Sequence, residues 1–288
     1  MGSWRRFRRN RSAMFGLAVL VVFVLLGAFA PLITPHDPMQ QQLTQALQTP
    51  SAEHWLGTDN LGRDILTRIL YGTRISLLIG LLAVALGLVV GVPLGVLSGY
   101  YGGWVDLVVQ RIADILFSFP NILLALGLAA ALGVSLRNVV IAVGVSVVPI
   151  FVRLSRSSVL TARNEQYVEA ARAGGTSDAR IMGRHILPNT LSPLIIQSSL
   201  SVGTTILLAA GLGFLGLGIQ PPTAEWGAML GEGRDYIFSF PHITTFPGLA
   251  IFLTVLAFNL LGDGLRDALD PRLVHEGGDK PAAVPGKA

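Results

Sequence analysis

Cysteine is missing altogether, and lysine occurs only at Lys280 and Lys287. The first absence excludes disulfides and thiolate metal sites. The second excludes a phosphate-binding loop of the G-x-x-x-x-G-K-[ST] kind, whose lysine must reach the nucleotide. If nucleotide drives this protein, a partner binds it. Charge is scarce too, at 13% of the chain against 51% hydrophobic, where a soluble domain carries about a quarter charged residues. The net charge of +4 does not argue for nucleic acid, because the positive residues flank apolar runs.

A helix needs about 20 apolar residues to cross a bilayer. Six runs meet that need, at about 14–33, 76–98, 106–132, 138–154, 190–217 and 245–262. The first follows Arg5, Arg6, Arg8, Arg9 and Arg11. It is too long for a signal-peptide core and no clean cleavage site follows it, so it reads as a retained helix. With both ends on the inner side, sixteen of the 21 Lys and Arg residues fall inside. Only Arg63, Arg68, Arg74, Arg137 and Arg234 fall outside, the bias that fixes orientation in membranes. The expectation is an all-α integral membrane protein with six transmembrane helices and cytosolic termini. Its parts are a basic N-terminus (1–12), a first helix with an external loop (13–74), a core (75–272) with a cytosolic loop at 155–189, and a disordered tail (273–288) rich in Gly, Pro, Ala and Lys.

The central thirds of the runs hold essentially no carboxylate or histidine. An ion relay would need several, which argues against a gradient-driven secondary transporter. No nucleophile–base pair or metal cluster stands out, which argues against a membrane enzyme. His54, Asp59 and Asp64 match no zinc or calcium spacing. The two aspartates suit turn caps and the start of an amphipathic segment through Ile65, Leu66, Ile69 and Leu70. With Arg63 they also form a polar patch that could touch an external partner or close an outer gate. Gly211-Leu212-Gly213-Phe214-Leu215-Gly216 fits G-x-G-x-x-G, with Glu232 near the acidic position. It lies inside an apolar run without a strand before it, so helix packing explains it better.

Gly87, Gly91, Gly95 and Gly99 recur every fourth residue and share one helix face, where another helix can approach closely or the bundle can flex. Pro93 should kink that helix. Arg111 and Asp114 are spaced to face each other near the inner end of the third run, as a structural pair or an internal gate. Asn259, Asp263, Arg266 and Asp267 pose the same alternatives at the end of the sixth.

The cytosolic loop is the most informative stretch. Good helix formers fill Asn164 to Ala173. Gly174-Gly175 can end that helix in a left-handed turn. Ser177 can cap a second short helix, with Asp178 in its first turn. Pro188 suits the first turn of the fifth spanning helix. The result is helix, sharp turn, helix, with Ala170 and Ala171 leaving a shallow face.

Glu169-Ala170-Ala171, Gly175 and Leu187-Pro188 resemble the cytosolic EAA loop of bacterial ABC-importer permeases. The isoleucine usual two positions before the leucine is His185 here, but Arg184-His185-Ile186-Leu187-Pro188-Asn189 resembles the peptide-importer branch. Two further stretches resemble that branch: His54-x-Leu56-Gly57-Thr58-Asp59-x-x-Gly62-Arg63-Asp64, and Gly262-Asp263-Gly264-Leu265-Arg266-Asp267-x-Leu269-Asp270-Pro271. The resemblance, covering about 10–274, is to the dipeptide/oligopeptide/nickel group in its second-permease form. It implies a type I ABC-importer permease fold in the bacterial inner membrane, forming half of a pore. The implied partners are a homologous permease, two ATP-binding subunits that hold ATP and magnesium, an extracytoplasmic binding protein and the lipid bilayer. The chain itself would carry no cofactor and no catalytic residue. The implied cargo is short peptides, with glutathione-like peptides or nickel chelates as alternatives.

Overall fold

The computed structural model describes residues 3–269. The expected tail at 273–288, and residues 270–272 of the expected core, lie outside them. Helix α1 (Ser3–Arg9) leads into α2 (Arg11–Ala28), capped by the Asn10 side chain, which accepts from the Ala13 amide. A short α3 (Ala30–Ile33) ends it, and residues 34–64 form an irregular strap. Asp64 then caps α4 (Ile65–Tyr101) by accepting from the Thr67 amide, the capping role expected from sequence. Next come α5 (Gly103–Phe117), α6 (Asn121–Leu132) and α7 (Leu136–Ala162). Two short helices, α8 (Gln166–Ala173) and α9 (Asp178–Arg180), follow α7. After them run α10 (Leu191–Phe214), α11 (Trp226–Gly233) and α12 (His242–Leu269).

Five helical stretches are long and apolar enough to cross a membrane. The third expected run, 106–132, is not one helix. It is the pair α5 and α6, bent by 90°. Hydropathy continues through the bend, but Pro120 has no amide to donate and pushes Phe119 out of helical geometry. Helix α4 begins at Ile65 rather than near 76, so the domain boundary expected at 74/75 falls inside it. It runs unbroken through Pro93.

Helices α4 and α7 pack in parallel along the glycine face. A Cβ at Gly91 would stand 2.7 Å from the Val148 carbonyl oxygen, and one at Gly99 would stand 2.9 Å from that of Arg156. Gly87 faces Phe151, and Gly95 faces Val152 and Ser155. With no side chain between them the two backbones touch, the arrangement small residues permit in membranes. Helix α12 meets α2 the same way, with Gly16 against Ala257 and Gly264 against Ala13. These contacts place the described N-terminus, the end of α12 and the segment between α7 and α10 at one end of the bundle. The strap lies at the other. There Trp226 is fully buried, its indole N–H donating to the Ile69 carbonyl at 3.1 Å.

Candidate functional site

The two polar ends of the bundle are built differently. At the first, α8 ends in a left-handed turn. Gly175 has φ +76°. Its amide donates to the Arg172 carbonyl, and the Thr176 amide donates to that of Ala171, both at 3.0 Å. This paired closure satisfies the last carbonyls of the helix and requires positive φ at the glycine. A Cβ on Gly175 would meet nothing within 4 Å, so the glycine is demanded by backbone geometry and the space above it is open. Glu169, Ala170 and Gly175 are exposed, and Ala171 is half-buried.

Beneath the turn the segment is anchored by apolar contacts. Val168, Ile181 and Ile186 are fully buried against Val96, Tyr100, Val159 and Ala162, with Leu187 packed beside them. Ile181–Ile186 is a π-helical stretch, and Leu187–Thr190 a 3-10 turn. Pro188 explains the irregularity, since it lacks the amide that the Arg184 carbonyl would otherwise accept. The side-chain amide of Asn189 donates to the His185 carbonyl at 2.7 Å. Ser177 precedes α9 as expected, but its side chain makes no capping hydrogen bond. The Ser177 carbonyl accepts from the amides of Arg180 and Ile181.

Polar bonds join this segment to the bundle. The Tyr100 hydroxyl, at the end of α4, donates to Asp178 at 2.6 Å. Arg163 donates to the Gly99 carbonyl at 2.9 Å. Arg156 of α7 grips Asp106 of α5 with two hydrogen bonds, at 2.5 and 2.6 Å, and Ser98 of α4 donates to the same carboxylate. Sequence reasoning missed Tyr100 and Asp106 and the partners of Arg156 and Asp178, because each pair is separated by 50 or more residues in the chain. The expected pairing of Arg111 with Asp114 is corrected. Asp114 takes Arg153 of α7 at 2.7 Å, and that guanidinium also lies 4.2 Å from the centre of the Phe117 ring. Contact with α7 supplies a partner that spacing within α5 could not reveal. Asp263 is exposed, while its neighbour Asp267 accepts from the Asn10 side chain at 2.9 Å.

At the strap end, His54, Asp59, Arg63 and Asp64 come together, and all four are 5% exposed or less. Asp59 accepts from the Arg63 amide and from its guanidinium, at 2.9 and 2.6 Å. Arg63 continues to Glu232 of α11 at 2.9 Å, and Arg68 of α4 reaches the same carboxylate at 3.0 Å. Arg68 also donates to the carbonyls of Pro38 and Pro222. Asp64 holds His54 at 3.0 Å. These groups bond one another rather than face outward. Glu232 was visible in sequence only as part of a spurious nucleotide pattern. Glu225 was not singled out at all. It caps α11 through the amides of Gly227 and Ala228 and accepts from Ser76. Burial pushes its carboxyl above the usual range, against the pull of those hydrogen bonds.

Residues 91–275 match the family described as "Binding-protein-dependent transport system inner membrane component", and residues 2–50 match the "N-terminal TM domain of oligopeptide transport permease C". The chain is 50% identical over 271 residues to the dipeptide transport system permease protein DppC of Alkalihalophilus pseudofirmus. It is 49% identical over the same length to the glutathione transport system permease protein GsiD of Escherichia coli. Each alignment covers 94% of this chain and 89% of the relative. A chain of the MetNI methionine ABC transporter, in inward-facing conformations, superposes with a TM-score of 0.58 at 21% identity. That superposition covers 70% of this chain and 97% of the other, and it shows the shared type I fold. A bundle of apolar helices carrying an anchored, glycine-ended turn, matched over nearly its whole length, thus belongs to the inner-membrane permease family of binding-protein-dependent ABC importers.

Proposed function

We propose that this chain forms half of the translocation pathway for short peptides, and that the Glu169–Gly175 turn couples it to an ATPase. The observation that carries the reading is the exposed turn standing on a buried apolar foot. A surface that binds a partner must be free, and one that transmits force must be fixed from behind; this turn is both. The similarity to permeases named for dipeptide and glutathione transport supports a peptide cargo. Glutathione-like peptides and nickel chelates are the alternative cargoes.

In this reading a homologous permease completes the pathway, two ATP-binding subunits hold ATP and magnesium, and an extracytoplasmic binding protein delivers the cargo. The arginine distribution supports a cytosolic turn and cytosolic termini in a bacterial inner membrane. ATP drives transport only if it and the cargo bind the two pathway states with different affinities. Leu187 packs into the foot of the turn, and the exposed Pro188 follows it. The strap shaped by His54, Asp59, Arg63 and Asp64 contributes to an outer gate or binding-protein contact as a whole, since those side chains are buried. Arg111, Asp114 and Asp263 remain the candidates for an inner gate.

The test is ATP hydrolysis by the chain assembled with its neighbouring-gene partners in lipid, with and without loaded binding protein. Stimulation is expected, and Glu169→Lys is expected to remove it while assembly persists. Stimulation that survives in a stable Glu169→Lys assembly rejects the coupling role. Transport without any ATPase partner favours a gradient-driven carrier.

A further inference from the structure

Three side chains from separate parts of the chain meet beside an open cavity: His36 before the strap's first turn, His54 in its middle, and Asp64 at the head of α4. One ligand atom from each lies within 4.8 Å of the other two. Histidine and carboxylate together suit zinc and its first-row neighbours rather than calcium or magnesium. Each donor has its second atom already held, the support that real metal ligands show. Asp64 Oδ1 accepts from the amide and hydroxyl of Thr67, both at 2.7 Å, leaving Oδ2 toward His54. His54 Nε2 lies 3.3 Å from Gln45 Oε1, leaving Nδ1 toward Asp64. His36 Nε2 lies 3.4 Å from the Glu53 carbonyl oxygen, leaving Nδ1 free.

The hydrogen-bond inventory points the same way. Both nitrogens of His54 face an acceptor, Asp64 on one side and Gln45 on the other. A neutral imidazole has one N–H to give. A cation between Nδ1 and Oδ2 settles both sides, with the N–H moved to Nε2 and donated to Gln45. A Gln45 amide turned about, its NH2 donating to Nε2 while Nδ1–H is given to Asp64, settles them too, and the experiment below separates the two.

We propose that His36, His54 and Asp64 form a divalent transition-metal site, with zinc the natural occupant. Tetrahedral zinc at about 2.0–2.1 Å from each ligand sets the ligand atoms roughly 3.4 Å apart. His54 and Asp64 are already at 3.0 Å. His36 is half-buried, and its ring lies 4.9 Å from that of His54, centre to centre, so a side-chain rotation brings it in. The fourth position opens to a cavity of about 330 Å³ lined by Thr34, Glu53 and Trp55 among others. Three protein ligands with an open fourth position make an exchangeable site rather than a closed structural one. Sequence spacing could not find it, because His36 stands 18 residues before His54 and the nearby Asp59 turns away to Arg63.

The experiment uses the full chain in lipid nanodiscs, purified without a polyhistidine tag and stripped with chelator. Zinc is then titrated and bound metal counted by mass spectrometry, with Co²⁺ absorption reporting coordination. The expected result is one zinc per chain, a thermal midpoint raised by zinc, and a tetrahedral cobalt spectrum. His36→Ala is expected to weaken binding at least tenfold with an unchanged metal-free midpoint, because His36 is only half-buried; His36→Asp is expected to restore part of the affinity. His185→Ala serves as a control and is expected to change nothing. Equal zinc binding by wild type and His36→Ala, or none by wild type, overturns the site and leaves hydrogen bonds alone to join His54, Asp64 and Gln45.

Discussion

The strap and the Glu169–Gly175 turn are both polar and lie at opposite ends of the same helices. They use their charges in opposite ways. Arg63 and Arg68 are buried at 1% exposure or less and share Asp59 and Glu232. Glu169 and the glycine that ends its helix are exposed, with open space above them. A buried ion network fixes geometry, because removing one partner strands the others without water. An exposed turn on an apolar foot leaves its binding capacity for something outside the chain. The strap is therefore built to stay as it is, and the turn to keep its outer surface open.

The largest effect that could break this contrast is at the strap. Arg63→Ala takes one partner from the buried Asp59 and the half-buried Glu232 and is expected to cost about 3 kcal/mol, read as a lower thermal midpoint in detergent. If the variant melts with the wild type, the strap's charges do not hold it in place. A smaller loss is expected for Gly175→Ala, about 1–2 kcal/mol for a Cβ in left-handed backbone. That loss should be confined to the turn, appearing as faster amide exchange at 171–176 with a global midpoint close to wild type. A global midpoint falling as far as that of Arg63→Ala would show the turn to be part of the scaffold. Smallest of all, Tyr100→Phe keeps the ring and removes the bond to Asp178. It is expected to cost about 0.5–1 kcal/mol and to lower ATPase stimulation more than stability. Unchanged stimulation would mean that the apolar foot alone carries the push.

How much of this was legible in sequence depends on how local the signal was. The glycine face of α4 and the Gly175 turn could be read directly, since a four-residue repeat and a helix-ending glycine carry their own geometry. The Asp64 cap was legible for the same reason. The bend between α5 and α6 was masked, because hydropathy runs on through Ser118-Phe119-Pro120 while the backbone cannot. The partner of Asp114 depended on α7, and the grip of Glu232 on two arginines depended on residues more than 160 positions away. His36 belonged to no motif and acquires meaning only from the fold of the strap. At the candidate sites, then, sequence reasoning located the residues with local geometry and missed those joined across the bundle.

The glycine seam between α4 and α7 also has a mechanical side. Helix α4 has 37 residues, about 55 Å at 1.5 Å per residue. Backbone lies directly on backbone along its second half, so little soft side-chain matter is available there to absorb shear. Its lower tip is bonded to the turn through Tyr100, and its upper tip begins at Asp64 under the strap. Tilted by about 5°, a rod of that length swings its far tip by roughly 5 Å. The pair is thus a stiff lever, able to turn a small nudge at one membrane face into a displacement at the other as wide as a peptide backbone.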